Sequence, residues 1–239
     1  MERITATIPK NGEEGAVFSA QGSSAFTMSA LSTGVVHEPS LLYSIVKRLI
    51  DIVLSFFGLI ILLPVFLIIA ICIKLDDGGD VLYFREIIGY HGKRFFALKF
   101  RTMIPKADAY LGHHPELLQE YQKNIKLIND PRITHIGRFI RRASLDEFPQ
   151  LFNVLLGQMS LVGPRIIHPG ELPRFGEFAQ KRLSVKPGIT GLWQISGRQH
   201  FSYDERVLLD MQYIDSRSSI NDLLILFKTV KVLFVHSGV

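Results

Sequence analysis

Residues 52–73 carry no charged side chain, and Pro64 stands near their middle. As a helix this run is about 33 Å long, enough to cross a hydrocarbon core of about 30 Å. A cleaved signal peptide does not fit, because the run starts far from Met1, exceeds an h-region and lacks a small-residue cleavage site after it. Pro64 removes a backbone donor and favours a kink. The flanks do not choose a side: Lys47 and Arg48 precede the run, while Lys74, Arg85, Lys93 and Arg94 follow it. Basic residues at both ends place both ends in the cytoplasm, which calls for a re-entrant helical hairpin. A kinked span is equally compatible, since prolines are tolerated in transmembrane helices. The residues leave both open. Asp51 is spaced to pair with Lys47 one turn earlier, as a structural contact.

At 239 residues the chain has room for one ordinary domain plus an anchor. The net charge of +5 is spread along the chain and suits an anionic membrane surface or phosphate-bearing substrates. Nucleic acid is the rival partner, but no recognition-helix, RNP-type or zinc-finger pattern supports it. The single cysteine, Cys72, falls in the apolar run, so no disulfide forms within the chain, consistent with a reducing compartment.

The pattern predicts an α+β fold, mostly helical, in three parts. Residues 1–40 are rich in Gly, Ser and Thr without periodicity and read as a flexible tail. Residues 41–75 hold the membrane helix broken at Pro64, and 76–239 form a catalytic domain. Short strands are expected at 81–84 and 95–98 around the Gly89-Tyr90-His91-Gly92 turn. Helices are expected over 107–128 and 136–143, with a third starting near Asp146. The apolar stretch 223–235 carries two lysines and is too short to span; it fits an interfacial amphipathic helix or a buried core helix.

The chemistry concentrates at Asp146-Glu147, with Arg138, Arg141 and Arg142 before them and Gly163-Pro164-Arg165 after. Pro149 lacks a donor and belongs in a first helical turn, which puts Asp146 at or near an N-cap. A cap alone is the common role of such an acid. The arginines tip the balance toward a site for an anionic substrate, with Glu147 able to hold Mg²⁺ together with phosphate oxygens. Lys99 and Arg101 fall on one face of an extended segment, suited to phosphate or to a solvated strand edge. Asp130-Pro131-Arg132-Ile133-Thr134 reads as a turn before a helix. His113 and His114 are adjacent and do not converge on a metal from a helix, and no histidine has zinc-ligand spacing. Gly188-Ile189-Thr190-Gly191-Leu192-Trp193 reads as a tight loop packing one aromatic, and Arg198 follows as a further substrate-contact candidate.

Six blocks in order resemble the bacterial sugar transferase family, the monotopic phosphoglycosyl transferases: Lys47-Arg48 with Asp51; Lys99-Phe100-Arg101-Thr102-Met103; Asp130-Pro131-Arg132-Ile133-Thr134; Ser144-Leu145-Asp146-Glu147 with Pro149-Gln150; Met159 through Gly163-Pro164-Arg165; and Lys186-Pro187-Gly188-Ile189-Thr190-Gly191. The likeness covers about 47–235. It implies that Asp146 is the nucleophile attacking the β-phosphorus of a UDP-sugar, that Glu147 ligates Mg²⁺, and that undecaprenyl phosphate accepts the sugar-phosphate. It also implies a re-entrant helix broken at Pro64, interfacial helices and the short form of the family, acting at the inner face of the bacterial cytoplasmic membrane. Lys99, Arg101, Arg138, Arg142 and Arg165 become the phosphate-contact candidates. UDP-glucose and UDP-galactose are the favoured donors. Two positions depart from the family pattern: Ile166 stands where Gly-Pro-Arg is usually followed by proline, and Ile87 where an arginine is usual. The first bears on nucleotide contacts and loop rigidity. The rival reading is a non-catalytic membrane scaffold of a polysaccharide assembly complex, for which Asp146→Ala leaves polymer synthesis intact. A bitopic anchor carrying a nucleic-acid-binding domain is a third reading.

Overall fold

The computed structural model describes residues 39–124, 127, 129–197 and 201–236. The expected tail over 1–40 therefore lies almost wholly outside the described residues. In chain order the helices and strands are α1 (Leu41–Asp77), β1 (Leu82–Ile88), β2 (Arg94–Phe100), α2 (Ala107–Gly112), α3 (Pro115–Asn124), α4 (His135–Arg142), α5 (Gln150–Leu155), β3 (Ser160–Val162), α6 (Ala179–Leu183), β4 (Gly188–Thr190), α7 (Leu192–Ile195), α8 (Tyr203–Ser216) and α9 (Ser219–His236). The chain is mostly helical with two small sheets. β1 and β2 pair antiparallel, Leu82 opposite Phe100, and β3 and β4 pair parallel.

α1 is one helix of 37 residues that remains helical through Pro64. At 1.5 Å per residue it is about 55 Å long, well beyond the apolar run. It is long and apolar enough to cross a membrane. Large apolar side chains on it stand exposed, among them Leu41, Ile45, Leu49, Phe57, Ile61 and Ile68, and its buried positions are Asp51, Ser55, Ile69 and Ile73. The buried stripe is polar at Asp51 and Ser55 and apolar at Ile69 and Ile73; burying polar groups while exposing hydrocarbon is the inverse of a water-soluble surface helix.

The stripe explains the Lys-Arg-Asp block. Lys47 Nζ donates to Asp222 Oδ2 (2.7 Å) and to the Val162 carbonyl (2.9 Å). Arg48 donates to the Val154 and Leu155 carbonyls at 2.6 and 2.8 Å, satisfying the open end of α5 with a cation. Asp51 accepts from Ser160 Oγ (3.1 Å) and the Leu161 amide (2.9 Å). The expected Lys47–Asp51 pair is thus replaced: one turn of α1 offers three polar groups, and each finds a better-placed partner on a different element. Asp222 is buried and also accepts from Tyr213 Oη (2.8 Å) and Tyr43 Oη (3.1 Å). Lys47→Met is expected to lower stability by about 3 kcal/mol, the scale of stranding one charge of a buried pair, read as a fall in unfolding temperature in detergent. An unchanged unfolding temperature would refute this anchoring role.

Several expected boundaries move. The strands run longer than 81–84 and 95–98, because the hairpin pairs along its full length. The helix expected over 107–128 divides at His113-His114, since Pro115 lacks an amide and opens α3 instead. The two histidine rings contact the Ala109 and Tyr110 carbonyls at the end of α2. In α9, Ile225 is buried while Leu223, Leu224, Phe227 and Val230 are exposed, so this part of the helix has a core-facing side and an open apolar side.

Candidate active site

α4 starts where the Asp130–Thr134 turn ends, with Thr134 Oγ1 accepting from the Gly137 amide (2.9 Å) as an N-cap. Gly137 is required there, because a Cβ would lie 2.2 Å from the Thr102 carbonyl. The other end of α4 closes in a Schellman motif. Ser144 adopts φ +56°, its amide bonds to the Arg141 carbonyl (3.0 Å), and the Leu145 amide bonds to the Ile140 carbonyl (3.0 Å). This reversal turns the chain back under β2. The Phe100 amide then bonds to the Asp146 carbonyl (2.9 Å), and Asn153 on α5 bonds to the Leu98 amide and Phe96 carbonyl at 3.0 and 2.8 Å. The acid pair is pinned against the edge of β2 that β1 leaves unpaired.

The expected helix start at Asp146 shifts. Residues 146–149 form tight turns and α5 opens at Gln150, with Pro149 at the cap position. Asp146 is therefore not a helix cap. Its carboxylate makes no hydrogen bond or ion pair among the described residues, whereas Glu147 is bound by two cations, chiefly through Oε1. Glu147 accepts from Lys99 Nζ (2.7 Å) and from Arg165 Nη2 and Nη1 (2.8 and 3.4 Å). Burial would raise the Glu147 carboxyl, but the charges of Arg165 and Lys99 outweigh it and hold the group far below the usual carboxylate range. Asp146 moves the other way. Burial raises it, the Glu147 charge adds to the rise, and Lys99, Arg141 and Arg165 draw it back only in part. Two adjacent acids thus receive opposite environments, one a fixed anion and the other an unengaged carboxyl.

The cations sort differently from their spacing. Lys99 and Arg165, read from the sequence as phosphate contacts, meet at Glu147. Arg101 does not join them: β2 ends at Phe100, the alternation is lost, and Arg101 turns to Asp77 at the end of α1 and to the Met103 carbonyl (2.9 Å). Arg138 and Arg142, one helical turn apart, lie exposed on the outer face of α4 and make no ion pair among the described residues. Arg141, absent from the phosphate-contact candidates, is the α4 arginine whose charge acts on Asp146; its Nε donates to Thr102 Oγ1 (2.8 Å). Buried Gly137 and Ile140 mark the inward face of that helix, and Arg141 borders it. Arg198 lies outside the described residues.

Trp193 is the aromatic packed by the glycine loop. It is buried, with the Arg165 guanidinium 5.8 Å and the Arg206 guanidinium 5.0 Å from its ring centroid. A Cβ on Gly188 would fall 2.1 Å from the Gly163 amide nitrogen, so glycine there lets the Gly-Pro-Arg and Pro-Gly loops touch through backbone. Ile87 and Ile166, the two departures from the family pattern, are both buried in the main hydrophobic core.

The arrangement is thus an unpaired carboxylate, Asp146, acted on by the charges of Lys99, Arg141 and Arg165, beside Glu147, which Lys99 and Arg165 bind. The chain belongs to the bacterial sugar transferase family, which matches residues 42–236. It is 48% identical over 197 residues to the undecaprenyl-phosphate galactose phosphotransferase of Salmonella typhimurium, covering 80% of this chain and 41% of that protein. It is 42% identical over 196 residues to the exopolysaccharide production protein ExoY of Rhizobium meliloti, covering 80% and 87%. It is 38% identical over 197 residues to the undecaprenyl-phosphate glucose phosphotransferase of Komagataeibacter xylinus, covering 77% and 35%. The chain thus spans less than half the length of the two phosphotransferases and most of the exopolysaccharide protein.

Proposed function

We propose that this chain transfers hexose-1-phosphate from a UDP-sugar, UDP-glucose or UDP-galactose, to undecaprenyl phosphate, priming exopolysaccharide synthesis. The observation that carries the reading is the contrast within the acid pair: Asp146 is left without a partner while Glu147 takes Lys99 and Arg165. In the first step an Asp146 oxygen forms a bond to the β-phosphorus, and the bond from that phosphorus to the bridging oxygen breaks. UMP leaves with both electrons, and the sugar-phosphate stays on the carboxylate as an acyl phosphate. In the second, a phosphate oxygen of undecaprenyl phosphate attacks the same phosphorus, the acyl–phosphate bond breaks, and Asp146 returns to its ionised form. Lys99, Arg165 and Arg141 offset the charge on the transferring group.

Mg²⁺ is the cofactor this reading calls for. No cluster of three or more His, Cys, Asp or Glu exists among the described residues. Two adjacent carboxylates do fit an ion that takes most of its ligands from phosphates and water, as Mg²⁺ does. Glu147 would hold it, and bound there it would neutralise phosphate charge facing the nucleophile. α1 and the exposed face of α9 would seat in the cytoplasmic leaflet of the inner membrane, with Pro64 at the bend of a re-entrant helix. The acceptor, a lipid phosphate, would reach the site from that surface.

Intact-protein mass spectrometry tests the reading. Protein incubated with Mg²⁺ and UDP-glucose or UDP-galactose, without acceptor, should gain one hexose-phosphate. No adduct with any UDP-sugar, together with no UMP release on adding undecaprenyl phosphate, would sink the transferase and favour the scaffold.

A further inference from the structure

Arg182 and Asp210 are fully or nearly fully buried, come from α6 and α8, and take no part in the acid pair. Both converge on the backbone of Arg165. Arg182 Nη2 donates to the Arg165 carbonyl (2.6 Å) and lies 3.5 Å from the Pro164 carbonyl, while the Asp210 carboxylate sits at the Arg165 amide. Arg182 Nε and Nη1 and Asp210 Oδ1 find no partner among the described residues, nor does the hydroxyl of neighbouring Tyr203. Burying a guanidinium and a carboxylate with so many groups unused costs stability. Burial also pushes Asp210 up to about 7, the sign of a charge held where solvation disfavours it. A pair tolerated at such cost is not explained by packing.

What the pair contacts is the residue that grips Glu147. After Arg165 comes Ile166, whose φ no ring fixes, so the loop's conformation must be imposed from outside. On one side the Ile88 amide bonds to the Ile167 carbonyl (3.2 Å). On the other are Arg182 and Asp210. We infer that Arg182 and Asp210 are positioning residues: they clamp the two ends of the Arg165 peptide unit so that its guanidinium meets Glu147 and the transferring phosphate in one fixed pose. This rests on the proposed phosphotransferase reading. Arg182 reaches the Pro164 carbonyl only at 3.5 Å against 2.6 Å to that of Arg165, so the clamp acts chiefly through Arg165, which separates it from a general structural role.

A double-mutant cycle on the full-length protein, read as the single-turnover rate of hexose-phosphate adduct formation, tests this. Arg182→Ala is expected to slow the reaction about a hundredfold in the wild-type background, the scale of a reacting group displaced by about 1 Å. In the Arg165→Ala background it should cost less than about threefold, because residues acting as a unit are not additive. Arg182→Lys, which keeps a charged donor for the Arg165 carbonyl, should recover most of the loss. If Arg182→Ala does not fold, Asp210→Asn carries the same cycle, with unfolding temperature measured alongside in both backgrounds. Equal cost in both backgrounds would overturn the clamp, as would wild-type rates in Arg182→Ala or, where that variant does not fold, in Asp210→Asn. A wild-type protein that forms no adduct and releases no UMP would instead overturn the phosphotransferase reading and the clamp's role with it.

Discussion

Asp146→Asn is expected to abolish both the phospho-sugar adduct and UMP release, a fall of about 10⁴-fold or more, as when a covalent nucleophile is removed, while leaving the protein as stable as before or slightly more so. The two halves follow from one observation. The Asp146 side chain makes no hydrogen bond among the described residues, so the amide takes its place without breaking a contact. Its carboxyl is raised in the folded protein by burial and by Glu147. A group whose folded pKa lies above its unfolded value is less stable ionised, so at neutral pH the charge is a cost that the amide removes. Glu147→Gln should behave oppositely. It removes the counter-charge that Lys99 and Arg165 share at 2.7 and 2.8 Å, and so should lose activity and about 2–3 kcal/mol of stability together. Thermal unfolding beside the mass measurement separates the cases. A destabilised Asp146→Asn would mean the acid is a structural cap after all, and intact polymer synthesis in Asp146→Ala would favour the scaffold.

That contrast was legible in the sequence only in outline. Asp146-Glu147, the downstream Gly-Pro-Arg and the apolar run around Pro64 are local patterns, and each marks a feature the fold uses. What spacing could not supply was direction. Lys99 and Arg101 share a face only while the strand lasts, and β2 stops between them. Arg138 and Arg142 share a helix face by period, but Arg141, itself partly exposed beside buried Gly137 and Ile140, is the α4 arginine whose charge acts on Asp146. Asp51 had Lys47 at the right spacing, yet its partners come from β3, over a hundred residues away. Arg182 and Asp210 carried no local signal at all. A buried charge is recognisable only once the elements that bury it are in place.

Lys99→Met should move the acid limb of the pH–rate profile to higher pH and lower the rate of adduct formation about a hundredfold, the effect of losing one electrostatic stabiliser of the transferring group. The nucleophile must be ionised, so the rate falls as pH drops through the Asp146 pKa. That pKa is the outcome of opposed influences: burial and Glu147 raise it, while Lys99, Arg141 and Arg165 lower it. Removing Lys99 deletes one lowering charge and leaves both raising ones, so protonation reaches further toward neutrality. Glu147 keeps its two bonds from Arg165 and stays ionised over the range that matters. Arg141→Met deletes a second lowering charge and should shift the limb in the same direction, although Arg141 does not touch Glu147. If either limb moved to lower pH, the acid being titrated would not be Asp146 in this surrounding, and its assignment as nucleophile would have to be given up.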